Sequence, residues 1–66
     1  MNVTLYSTNC PKCKILETKL NKKGINYSIV TDVDTMISRG FTQAPVLEVD
    51  GEVKEFRAAN TWVEEQ

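Results

Sequence analysis

The 66 residues include no histidine and only two cysteines, Cys10 and Cys13. One chain therefore cannot supply four soft ligands, the set that a structural zinc site takes. A metal shared between two chains stays open. A scaffold of several disulfides, the usual support of small secreted domains, is excluded. A bridge between cysteines this close would shut only a tiny loop and remove little entropy from the unfolded chain. Charge of one sign is also lacking: eight Lys and Arg stand against nine Asp and Glu, a net of −1. That balance leaves no footprint for nucleic acid or an anionic membrane surface. No apolar run approaches the roughly 20 residues of a membrane helix. The opening MNVTLYS has neither the charged start nor the apolar stretch of a secretory leader. Repeats, low-complexity segments and linkers are missing too. The expectation is a soluble, cytoplasmic monomer folded as one domain over residues 1–66, with a core worth roughly 3–5 kcal/mol net.

Patterning fills that domain. Residues 3–7, VTLYS, alternate as a strand does. From Pro11 to Lys23 the period becomes helical, with Cys13, Leu16 and Leu20 on one face and Ile15 beside it. Lys19, Lys22 and Lys23 suit the negative end of that helix, and Gly24 stops it. Residues 25–30, INYSIV, alternate again, with Ile25, Tyr27 and Ile29 on one side. Thr31 or Asp32 can cap a short helix over 33–39 that carries Met36 and Ile37 and ends at Gly40. A strand over 45–49 and a strand over 52–56 flank Asp50-Gly51, a strong two-residue hairpin signal. The tail AANTWVEEQ predicts a closing helix, with Trp62 and Val63 packed on the sheet. The order β-α-β-α-β-β-α predicts an α/β fold. Its four-stranded mixed sheet is flanked by three helices, with the first two strands parallel and the last two antiparallel.

The cysteine spacing carries the chemistry. With Cys10 as N-cap and Pro11 in the first helical position, which proline favours, Cys13 lies one turn on and on the same face. Side chains at that spacing have Cβ atoms about 5–6 Å apart, so a small adjustment joins the sulfurs. Free N–H groups and the helix dipole at the N-cap, with Lys12 and Lys14 nearby, favour a thiolate. Cys10 is expected to be the exposed attacker of low pKa, and Cys13 the more buried resolving thiol. In a reducing compartment such a pair is catalytic or metal-binding before it is structural. A strand–CxxC–helix context favours redox work. Pro45, in QAPV, reads either as a strand-edge residue or as the second half of a cis Ala44–Pro45 bond. In the second case Ala44 would offer its N–H and C=O to an extended substrate.

TNCPKC after a first strand and QAPV before a third resemble the thioredoxin superfamily, and most closely its glutaredoxin branch. The resemblance spans the chain from Val3 to the last helix. It implies a thiol–disulfide oxidoreductase with a thioredoxin-like (glutaredoxin) fold. It further implies Cys10 as nucleophile, Cys13 as resolving thiol and a cis-proline at Pro45 facing them. Gly40-Phe41-Thr42-Gln43-Ala44-Pro45-Val46 and the later Phe56-Arg57 are similar to NrdH-type redoxins. Those proteins are reduced by thioredoxin reductase and supply ribonucleotide reductase. Departures are Pro11-Lys12 for the usual Val-Gln and Ala58-Ala59 for Pro-Asp. EFRAANTW lacks the Gly-Gly pair that glutathione-dependent glutaredoxins use, and Asn60 mimics only part of that site.

The resulting expectation is a dithiol oxidoreductase with no bound cofactor and no metal, reduced by NADPH through thioredoxin reductase, or by glutathione. Its partner is a disulfide-bearing protein, with ribonucleotide reductase implied by the resemblance. Pro11 and Lys12 would support the thiolate, and Thr8, Asn9, Gln43, Ala44 and Pro45 would meet the substrate. Arg39 is a further candidate for partner contact. Open alternatives are a glutathione-dependent glutaredoxin, and a metal or iron–sulfur carrier or redox sensor.

Overall fold

The computed structural model describes residues 2–66. Its order is β1 (Val3–Tyr6), α1 (Pro11–Lys22), β2 (Ser28–Val30), α2 (Val33–Ser38), β3 (Val46–Val49), β4 (Glu52–Glu55) and α3 (Phe56–Glu64). The strands form one sheet in the order β2-β1-β3-β4. β1 runs parallel to β2 and antiparallel to β3, and β3 is antiparallel to β4. This is the predicted mixed sheet with three helices, a thioredoxin-like α/β fold.

Side-chain alternation sorts the sheet into two faces. Val3, Leu5, Leu47 and Val49 point to one side, where Leu16 and Leu20 of α1 and Ala59 and Val63 of α3 cover them. Register supports this layer, since Leu5 pairs with Leu47 across β1 and β3. Tyr6 and Val46 point to the other side and meet Met36 of α2, with Val30 and Phe41 at the margin. The larger core thus sits under two helices and the smaller under a single six-residue helix.

Local signals explain the ends of elements. Asp32 caps α2, its carboxylate accepting the N–H of Asp34 at 3.1 Å and the Thr35 hydroxyl at 2.8 Å. The β3–β4 turn has positive φ at both Asp50 (50°) and Gly51 (88°), the conformation that tight hairpins with right-handed twist demand. Beside one-residue shifts at several element ends, two boundaries and one side-chain orientation differ instructively from the sequence expectation. The second strand begins at Ser28, not residue 25; Ile25 and Tyr27 still pack on the larger core from outside it. Ile29, expected to share their side, is 45% exposed, because β2 is an edge strand beyond the reach of the two helices. Phe56, assigned to the fourth strand, instead opens α3. Phe56, Ala59 and Val63 recur at helical spacing and all contact the larger core, so helical burial outweighs the local alternation.

Candidate functional site

β1 delivers the chain to the top of the sheet, and the motif loop turns it into α1. Asn9 has φ 63°, a left-handed conformation that Asn tolerates better than most residues. Its N–H folds back onto the Ser7 hydroxyl oxygen at 3.1 Å. The turn places Cys10 at the N-cap in extended conformation and Pro11 in the first helical turn. Lys14 N–H reaches the Cys10 carbonyl oxygen at 3.1 Å, closing the first helical ring.

The sulfur of Cys10 does the work of an ordinary capping oxygen. It accepts the backbone N–H of Cys13 at 3.2 Å. On its other side it lies 3.9 Å from the carbonyl oxygen of Ala44. Cys10 is half-buried, whereas Cys13 is fully buried, and both are free thiols. Burial pushes the Cys13 thiol up. Hydrogen bonds with the Cys10 side chain, the Ser7 side chain and the backbone at Thr8 and Cys10 outweigh it, so the thiol sits below its ordinary value.

The other sequence candidates fall into three groups. The Ala44 carbonyl meets the motif at the Cys10 sulfur; the Ala44–Pro45 bond is cis and Pro45 is fully buried. Thr8, Gln43 and Ala44 line an open apolar groove with Met36, Ile37 and Phe41, of which Ala44 is the residue that reaches the Cys10 sulfur. Asn9 and Pro11 shape the loop from exposed positions. Lys12 turns elsewhere: its ammonium lies 5.4 Å from the centre of the Phe56 ring and makes no hydrogen bond to either sulfur. Cys10 and Cys13 are the soft donors of the site. Among the described residues no three His, Cys, Asp or Glu side chains converge as a metal site.

Two features escaped the sequence reading. Among the described residues Ser7 is the buried polar one, fully enclosed just after β1. Parity was the available signal, since Ser7 follows Val3 and Leu5 on the inward face of the strand. The second is a clamp centred on Arg39, the C-cap of α2. Its guanidinium donates to the Tyr6 hydroxyl at 2.8 Å and to both Glu48 carboxylate oxygens at 3.1 and 3.2 Å. It also lies 5.7 Å from the centre of the Tyr6 ring and 5.4 Å from that of Phe41. Tyr6 in turn donates to Glu48 at 3.0 Å. The clamp ties the end of α2 and the start of the 41–45 loop to β1 and β3, so Arg39 is committed within the fold.

That clamp has a pH signature. Arg39 first, then the Tyr6 hydroxyl, hold the Glu48 carboxyl below its ordinary value. Burial, then Glu48, push the Tyr6 phenol up. A depressed acid contributes stability above its unfolded pKa and loses it as pH falls through the folded one. A raised phenol contributes below its unfolded pKa and loses it as pH rises through the folded one. Thermal unfolding across pH should therefore show wild type ahead of Glu48→Gln at neutrality, with the gap closing below the ordinary carboxylate range. A gap that stays constant with pH would exclude this coupling.

Comparison with known proteins agrees with this geometry. No protein-family model matches the chain. It is 32% identical over 60 residues to a protein named thioredoxin from Methanothermobacter thermautotrophicus (strain Delta H). The alignment takes in 82% of this chain and 78% of that protein.

Proposed function

The chain belongs to the thioredoxin family, and we propose that it is a small dithiol–disulfide oxidoreductase of the glutaredoxin-like, NrdH type. One observation carries the reading: the half-buried Cys10 sulfur caps α1, accepts the Cys13 N–H at 3.2 Å and stands next to Ala44. The backbone N–H aimed at the capping sulfur fixes its position at the helix end, and a cysteine there acts as nucleophile in its thiolate form.

The cycle follows from the two levels of burial. Cys10 thiolate attacks one sulfur of a partner disulfide. A Cys10–partner S–S bond forms, the partner's bond breaks, and the departing partner sulfur takes a proton from solvent. Cys13, having given its proton to solvent, attacks the Cys10 sulfur. The Cys10–Cys13 bond forms, and the second partner sulfur leaves as thiolate and is protonated. Two electrons have passed to the partner, and an external reductant restores the dithiol. Thr8, Gln43 and Ala44 line one groove, and the Ala44 carbonyl oxygen lies 3.9 Å from the Cys10 sulfur, which supports their role in receiving an extended segment of the partner.

Phe56-Arg57 and the 40–46 stretch favour thioredoxin reductase and NADPH as the reductant, and ribonucleotide reductase as an acceptor. The test is NADPH consumption by the oxidised protein, with thioredoxin reductase in one arm and glutathione plus its reductase in the other. Turnover in the first arm alone is expected. Turnover in the second alone would make it a glutathione-dependent glutaredoxin. Reduction in neither arm would overturn the oxidoreductase reading.

A further inference from the structure

We propose that Arg39 is the positioning residue of the substrate-receiving loop: by clamping Phe41 against Tyr6 it holds Thr42, Gln43 and Ala44 where a partner segment pairs beside the Cys10 sulfur. The proposal rests on the assignment of Cys10 as attacker and of the Ala44 backbone as receiver.

The loop over 41–45 joins α2 to β3, and its Ala44 carbonyl oxygen lies 3.9 Å from the Cys10 sulfur. Its two ends are held unequally. The far end enters β3 through fully buried Pro45 and buried Val46. The near end hangs on α2, a helix of six residues of which Met36 is the buried one, while Val33 and Ile37 stay exposed. The helix stops in a Schellman turn. Gly40, at φ 81°, donates its N–H to the Ile37 carbonyl oxygen, and Phe41 donates to that of Met36, each at 2.9 Å. That turn fixes the loop to α2, but it does not fix α2 to the sheet. A helix this short depends on tertiary packing, and one apolar side chain is a weak anchor.

Arg39 supplies the missing attachment. One guanidinium nitrogen donates to the Tyr6 hydroxyl at 2.8 Å, and the other donates to both Glu48 carboxylate oxygens. The same group lies over the Tyr6 and Phe41 rings, which meet edge to face with centres 4.9 Å apart. Tyr6 and Glu48 belong to β1 and β3, and Phe41 opens the loop. One side chain therefore joins the near end of the loop to the two central strands. An isolated exposed ion pair contributes little. Here the Glu48 side chain is 19% exposed, and its cation is shared with a hydroxyl and two rings, so the contacts reinforce one another. Without the clamp, a smaller fraction of molecules would hold the loop ready for a partner. Apparent affinity falls by that same fraction. The reactivity of Cys10 does not depend on it, because the clamp acts through the loop.

The test pairs two readouts. One is steady-state reduction of insulin, whose disulfides lie in peptide segments, with dithiothreitol as reductant. The other is alkylation of Cys10 by iodoacetamide, a small neutral probe that needs no receiving loop. Arg39→Met keeps an unbranched apolar stem and removes the guanidinium. It should raise KM for insulin about three- to tenfold and leave kcat and the alkylation rate within about twofold of wild type. Glu48→Gln and Tyr6→Phe each remove one partner of Arg39 with little change of shape, and should raise KM by a smaller factor. These two variants decide the matter if Arg39→Met does not fold. An unchanged KM in the folded variants would overturn the proposal. So would a Glu48→Gln protein with a lower KM, because a freed Arg39 would then be touching the partner itself. Alkylation that slows in step with insulin reduction would also overturn it, because the clamp would then act on Cys10 and not on the loop. Failure of the underlying reading looks different: wild type would not reduce insulin above the dithiothreitol background, or Cys10→Ser would reduce it as fast as wild type.

Discussion

Cys10→Ser is expected to lower NADPH-coupled disulfide reduction by on the order of a thousandfold or more. A serine hydroxyl keeps the cap on α1 but is not ionised near neutrality, so the fold survives while the nucleophile is lost. Cys13→Ser should fail differently. Cys10 can still attack, yet nothing nearby resolves the product, and a covalent adduct of protein and partner should accumulate. External thiol is a poor substitute, because a well-placed intramolecular group acts at an effective concentration of about 10⁵ M or more. Intact-mass measurement after mixing with a disulfide substrate separates the cases: an adduct with Cys13→Ser and none with Cys10→Ser. The reverse pattern would assign the roles the other way round, against the complete burial of Cys13.

The second large effect is on stability. Leu47 is fully buried at the centre of β3, opposite Leu5, beneath the two-helix layer. Truncation to alanine removes apolar transfer energy and leaves a cavity, costing about 2–5 kcal/mol. A domain of this size holds a net reserve of roughly 3–5 kcal/mol. Leu47→Ala should therefore populate the unfolded state visibly even without denaturant. Ile37 on α2 is 65% exposed, and Ile37→Ala should stay within about 0.5 kcal/mol. Urea titration of both variants is the measurement. Matching midpoints would mean that the larger core does not dominate the stability of the domain.

The parts of the fold legible in the sequence were those set by near neighbours. Asp50-Gly51 demanded a tight turn, Thr31 or Asp32 a cap (Asp32 supplies it), and Leu16 and Leu20 a buried helical stripe, and each formed where its chemistry required. Errors arose where distant packing decided. Phe56 alternates acceptably with Val53 and Lys54, but its contact with the core beneath α3 is a tertiary fact. Ile29 reads as inward-facing until its strand is known to be at an edge. At the site, Cys10 and Cys13 were visible because their spacing alone defines the geometry. Lys12 was expected to add positive potential at the motif; what the sequence did not show is that its ammonium lies over the ring of Phe56, 44 positions along the chain. Glu48 was missed because its partners, Tyr6 and Arg39, come from other elements.

The two outer strands of the sheet leave one more consequence. β2 has three residues, and β4 carries Glu52, Lys54 and Glu55 among its four. A free strand edge is a template on which another chain can add itself, and shortness and charge both spoil that template. Neither border of this sheet therefore invites a neighbour to extend it. Runaway stacking of copies into fibrils would have to begin from partly unfolded protein, which makes the integrity of the larger core the safeguard against aggregation as well as the seat of stability.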